Sequence, residues 1–239
     1  MKPLISFREA AIPAGFAAAA IVGLMAFGCE ARAAGPSGSL ALTSDYVWRG
    51  TSQTQEAPAV QAGLKFAADT GAYASAWGSN VEFAPGTGAS SEFDIAVGYG
   101  RTAGDWAFDV NVLRYVYPGT EVDLDWTELN GSLTWRDRYW LAAGWSPEAL
   151  GSGENGTYLQ AGARFPVGDA VRVEAAVGHY LLDDVYGDRY THAQLGAVWT
   201  VRAPLELRVT AHATDSSAER LFGRELAGHR IEAAVQASF

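Results

Sequence analysis

The sequence predicts a closed antiparallel transmembrane β-barrel, an all-β, up-and-down meander of about 12 strands. The final stretch alternates without a break: Ile231, Ala233, Val235, Ala237 and Phe239 take one face, and Arg230, Glu232, Ala234, Gln236 and Ser238 the other. Period-two patterning of this kind recurs along the chain in segments of about 10 to 14 residues, enough for a tilted strand to cross a bilayer. The connections alternate short and long, as in barrels that keep tight turns on one side of the membrane and loops on the other.

Residues 1–33 read as a secretory signal ahead of a barrel domain over 34–239. Lys2 and Arg8 give the positive start, an Ala-rich apolar stretch runs to Gly28, and Ala31, Arg32 and Ala33 supply the small-x-small cleavage pattern. Pro13 and the many Gly and Ala weaken a membrane anchor, and Ala26 stands where a lipoprotein site wants Leu. Cleavage removes the only cysteine, Cys29, and with it disulfides and thiolate metal sites. Strands are expected over 39–49, 58–68, 72–83, 92–102, 105–117, 125–136, 138–147, 157–166, 170–181, 189–201, 205–214 and 229–239. An even number lets the ends meet antiparallel and removes both sheet edges. Short turns fall at 68–71, 102–105, 136–138, 167–169 and 202–204, rich in Gly, Asp and Pro, which places both termini on the periplasmic side. Phe239 ends the last strand as a barrel-assembly signal, so the assembly machinery is an expected partner through that strand.

The outward faces include Val60, Ala62, Leu64 and Phe66; Phe93, Ile95, Val97 and Tyr99; and Leu195, Ala197, Trp199 and Val201. Aromatic residues at strand ends, among them Trp48, Tyr73, Phe93, Trp106, Trp135, Trp199 and Phe239, form the expected girdles at the two water boundaries. A soluble β-sandwich would put the same residues in its core. Two places fit the pattern poorly: Arg114 falls on a lipid-facing parity, and Ser75 and Ser79 share a face with Trp77.

Charged residues make up only 18%, yet the mean hydropathy is −0.01, and alternation accounts for both because it halves the apparent hydrophobicity of a membrane strand. A net charge of −10 disfavours nucleic acid as a partner. Outer-membrane lipid of a Gram-negative bacterium is the expected surroundings.

Ser44, Asp45, Tyr46, Val47, Trp48, Arg49 and Gly50, followed by Ser52, Gln53 and the run 58–63, resemble the opening of the TorF family of proteobacterial porins, once classed as conserved protein of unknown function. Trp77 with Ser79–Val81, Glu92 with Asp94, Gly98 with Tyr99, and the run 115–119 add to the similarity. The resemblance implies an outer-membrane barrel. It brings no substrate, cofactor or catalytic residue to carry over.

The opposite parity gives the lumen face, where charge is tolerated because water or partners reach it. Its basic candidates are Arg49, Lys65, Arg136, Arg164, Arg172, Arg208 and Arg230. The acidic ones are Asp45, Glu82, Asp94, Asp109, Glu128, Glu174, Glu206 and Glu232. Lys65, Arg136, Arg164, Arg172 and Arg208 lie close to the turns, whereas Asp45, Glu82, Asp94, Glu128 and Glu232 sit higher, so the field is expected to be negative at the mouth and positive at the exit. Ion pairs that plug the barrel are the competing outcome. A narrow channel for ions or small polar solutes and a plugged structural or binding barrel both stay open, because twelve strands lie between a filled barrel and an aqueous one. His192 and His212 are expected inward, about one diagonal step apart, with lumen filling favoured over a soft metal or pH-sensing pair. With no Ser beside them, no hydrolase is expected, and no cofactor or metal site is assigned. The acidic loop residues, such as Asp123 and Asp125 or Asp183 and Asp184, match no Ca²⁺-loop spacing.

Overall fold

A computed structural model of the chain describes residues 35–83 and 87–239. The expected signal segment and Cys29 lie outside the described residues. The strands are β1 (Gly35–Thr43), β2 (Val47–Trp48), β3 (Thr51–Ser52), β4 (Ala59–Ala67), β5 (Ala72–Asn80), β6 (Ser91–Ala103) and β7 (Trp106–Val116). They continue with β8 (Trp126–Trp135), β9 (Tyr139–Ser146), β10 (Gly156–Pro166), β11 (Val171–Leu182), β12 (Asp188–Arg202), β13 (Leu205–Thr214) and β14 (His229–Ser238). Two short α-helices, α1 (Asp183–Tyr186) and α2 (Ser216–Phe222), and one turn of 3-10 helix at Ala149–Gly151 sit in loops. All strands except β2 and β3 form one closed antiparallel barrel in chain order, and β1 closes it by pairing with both β4 and β14. The twelve-strand meander expected from the alternation is the observed fold.

Closure satisfies the backbone along both edges of every wall strand, which a chain in hydrocarbon requires. The outward parity is greasy along the middle of the strands: Val60, Leu64, Ile95, Leu141, Val209 and Ile231 are all more than half exposed. A sandwich would hide these side chains, and a soluble monomer rarely leaves so much contiguous apolar surface open, so the exterior is that of a membrane-spanning barrel. At the turn end the aromatic side chains touch in sequence around the wall: Trp106 with Trp135, Trp135 with Tyr139, and Tyr139 with Phe165, at ring separations of 6.2, 5.7 and 5.7 Å.

Four local expectations are corrected. β1 begins at Gly35 and stops at Thr43 rather than running over 39–49. Pro36 is tolerated because residues 35–37 pair only with β4, and contact with the C-terminal strand starts at Gly38. The strand stops where the Asp45 carboxylate accepts hydrogen bonds from Ser52 Oγ (2.6 Å) and Thr54 Oγ1 (3.0 Å), turning the chain off the wall. Trp48 is therefore inside the barrel and not on a girdle.

The face of β5 that carries Ser75, Trp77 and Ser79 is the lumen face, which removes the apparent misfit. Tyr73 shares it, and its hydroxyl donates to Asp109 (2.8 Å) instead of sitting at the outer boundary. Arg114 does point outward on β7, with no register shift in its ladder to β8. It lies at the loop-side rim, where Glu148 (3.1 Å), Asp125 (3.7 Å) and Thr127 (3.0 Å) hold its guanidinium.

Candidate functional site

The lumen is divided by a segment that is not part of its wall. After β1 the chain turns inward over residues 44–58, makes the β2–β3 hairpin, and returns to the wall at β4. Arg49 and Gly50 at the hairpin tip both have positive φ, 47° and 83°. A two-residue turn of this hand favours Asn-Gly, so an arginine in the first place is strained and must be held by its side chain. Gly50 is required on two grounds, because a Cβ there would also lie 2.5 Å from Cβ of His192 on β12.

The grip on Arg49 is extensive. Its guanidinium lies over the rings of Trp48, Tyr158 and Tyr180, with the central carbon 4.3, 4.0 and 4.7 Å from the centroids. Its Nη2 donates to both oxygens of Glu128 at 2.8 Å. Tyr115 donates to the same carboxylate (3.1 Å), and Tyr190 donates to the Arg49 carbonyl (3.1 Å). Arg49 and Glu128 are 5% and 1% exposed, so this ion pair is out of water; Nη2 alone carries the hydrogen bonds to the carboxylate, Nε and Nη1 have no hydrogen-bond partner, and the three rings hold the rest of the guanidinium. Tyr115 stacks on Trp126 at 4.0 Å, and Tyr46 leans on Trp77 at 5.4 Å, extending the aromatic fill across the loop-side half.

Behind this plug the wall stays polar. Asn130, Gln160, Gln194, Thr210 and His212 are buried there. Toward the turns the lumen is wetter: Lys65, Asp109, Ser132 and Arg164 are only half-buried. Lys65 sits 3.6 Å from the Tyr73 ring centroid, and Arg164 lies over Trp140 and reaches Asp137 at 3.6 Å.

The expected two-sided field is largely cancelled within the wall. Arg172 bonds both oxygens of Glu206 (2.7 and 2.9 Å) and one of Glu174 (2.7 Å). Arg208 pairs with Glu232 (3.0 Å), which also accepts from Thr43 (2.9 Å), and Arg230 pairs with Asp45 (3.4 Å). Arg136 is corrected outright: β8 ends at Trp135, and Arg136 forms the exposed turn beyond it, bonded to Asp105 at 2.8 Å. Glu82 is likewise exposed past the end of β5 and off the inner wall.

The register sets Gln194 opposite His212, so His192 and His212 are one diagonal apart as expected. They serve different partners, however: His192 Nε2 meets the Tyr158 hydroxyl at 2.8 Å, and His212 Nε2 meets Glu232 at 3.2 Å. Asp94 is buried and inward, and beside it is Glu92, a lumen residue that was not among the expected set. Its signal was present, since it shares parity with Asp94. Phe239 closes the ladder at the barrel seam, where its amide donates to the Gly38 carbonyl (2.9 Å) and its carbonyl accepts from the Gly38 amide (2.6 Å).

Residues 30–239 match a family described as bacterial protein of unknown function, Gcw_chp. The chain belongs to the Gcw_chp family. That description assigns the family no transport role, and the likeness to the TorF family remains a resemblance in motifs. No curated protein matches the chain.

Among solved structures, a KdgM porin is similar over 85% of this chain and 99% of its own, with a TM-score of 0.54 and 9% identity. A NanC porin is similar over 85% and 98%, with a TM-score of 0.54 and 12% identity. A KdgM porin in complex with disordered oligogalacturonate is similar over 85% and 98%, with a TM-score of 0.51 and 8% identity. At these identities the likeness between the Gcw_chp chain and the porins is one of fold.

Proposed function

We propose that this Gcw_chp protein is an outer-membrane channel for passive passage of ions or small polar solutes, narrow and interrupted at its loop side by residues 44–58. The observation that carries the proposal is a polar wall hidden behind an aromatic plug. Behind the plug the inner wall carries Asn130, Gln160, Gln194 and Thr210 in place of an apolar fill, and it leads toward the turns onto the half-buried Lys65, Asp109, Ser132 and Arg164. The porin folds of the similar structures support the same assignment, as does an exterior suited to lipid. A leader over 1–33 for export and Phe239 as the assembly signal complete it.

Selectivity in such a path rests on the half-buried charged groups of the turn-side vestibule, Lys65, Asp109 and Arg164, because they are the lumen charges that solvent reaches. The mutual pairing of the other lumen charges favours a second reading, a plugged structural or binding barrel that never conducts. Acyl transfer finds no support, since His192 and His212 engage a phenol and a carboxylate and not a serine. Planar-bilayer recording separates the two readings when the intact barrel is compared with one in which residues 46–56 are replaced by a short Gly-Ser turn. A channel gives sustained current in the shortened barrel and little in the intact one. A silent but correctly folded shortened barrel overturns the proposal.

A further inference from the structure

Glu92 and Asp94 stand two residues apart on the lumen face of β6, 1% and 2% exposed, with their carboxyl groups within hydrogen-bonding reach of each other. Among the described residues no Arg, Lys or His forms an ion pair with either, unlike every other deeply buried lumen carboxylate discussed above. Both oxygens of Asp94, and Oε2 of Glu92, are buried without a donor from any residue outside the pair. Leaving such atoms dry costs several kcal/mol unless a proton or a metal cation is held between them.

The side chains that reach Glu92 are phenols, which supply hard oxygens and no positive charge. The Tyr46 hydroxyl lies 3.4 Å from Glu92 Oε1, and the Tyr117 side chain hydrogen-bonds Glu92 as well. Trp77, opposite Asp94 in the ladder, and Tyr46 tilted against it wall off the inner side. Glu92 is the second residue of β6, directly below the loop-side rim, so an ion arriving from outside has a short way in.

We propose that Glu92 and Asp94, with the hydroxyls of Tyr46 and Tyr117, bind one Ca²⁺ ion and so fasten the inward segment to the wall through Tyr46. Two carboxylates balance a divalent charge. Both carboxylates bidentate plus two phenols give about six oxygens, the lower end of what Ca²⁺ takes. Three His, Cys, Asp or Glu side chains converge nowhere among the described residues, so the phenols are what complete the set. The site does not depend on conduction, because its test reads binding.

Calcium chloride titrated calorimetrically into the purified, metal-stripped barrel in detergent should show one ion per chain and a higher unfolding temperature. Asp94→Asn should weaken binding by about 100-fold, and Tyr46→Phe, which leaves both carboxylates in place, by about 10-fold. If Asp94→Asn fails to fold, Tyr46→Phe and Tyr117→Phe carry the test. No heat and no thermal shift with the wild type, as expected if the two carboxyls merely share a proton, overturns the proposal. So does calcium binding that all of these substitutions leave unchanged.

Discussion

Replacing Glu128 with alanine strands the Arg49 guanidinium in the middle of the lumen. Both of its hydrogen bonds go to that one carboxylate, at 2.8 Å each, and Tyr115 loses its acceptor in the same step. Removing one partner of a buried ion pair costs about 3 to 5 kcal/mol, because the other charge stays desolvated and unpaired. The rings of Trp48, Tyr158 and Tyr180 retain some hold on the cation, on the order of 0.5 to 2 kcal/mol each, but they held it before as well and do not offset the loss. A surplus of about 3 kcal/mol shifts the balance between seated and released segment by about a hundredfold.

Trypsin reads that shift directly, because Arg49 is the only Lys or Arg between Ser44 and Pro58 and is 5% exposed in the seated state. Glu128→Ala should release a fragment cut after Arg49 far faster than the wild type, identified by mass, while cleavage at the exposed Arg189 and Arg224 stays unchanged. Glu128→Gln, which keeps an acceptor, should fall between them. Equal resistance of Glu128→Ala and wild type at Arg49 would refute the idea that this pair seats the segment.

Gly178→Val should destabilise the barrel by about 1 to 3 kcal/mol, because a side chain there would run into the Tyr158 hydroxyl and His192 Nε2; urea unfolding in detergent measures it. Ile95→Arg, on the lipid face in mid-strand, should cost about 2 to 4 kcal/mol in bilayer-based unfolding, whereas a lumen face would tolerate the charge far better. Arg114→Leu should change stability by less than about 1 kcal/mol in the same assay, since its ion pairs are at the rim and its side chain is 42% exposed.

Strand number, direction and outward faces were legible because a wall strand has one greasy side, and a one-residue slip would turn that side inward. Arg230 to Gln236 shows it plainly, with buried and exposed side chains taking turns as the alternation divides them. Alternation cannot tell a wall strand from a strand that has left the wall. Residues 44–49 keep period two while folding into the lumen, so Trp48 looked like a girdle residue. Tyr73 failed for a related reason: an aromatic ring suits both the water boundary and a lumen packed against Lys65 and Asp109.

Charges at strand ends were the other weak point. The positive-φ pair Arg136 and Asp137 makes the turn itself, and a shift of one residue there carries Arg136 out of the lumen. The pairing of Arg172 with Glu206 and Glu174 depends on neighbour register, which no single strand reveals.

A tether across the plug decides the matter most directly. The Ser52 amide donates to the Leu226 carbonyl at 2.8 Å, which brings the inward segment beside the loop that carries α2. In a barrel with Ser52→Cys and Leu226→Cys, single-channel openings should be absent while the disulfide is closed and should return on reduction, as infrequent as in the intact barrel. An identical trace before and after reduction, whether silent or conducting, would contradict a channel shut by residues 44–58.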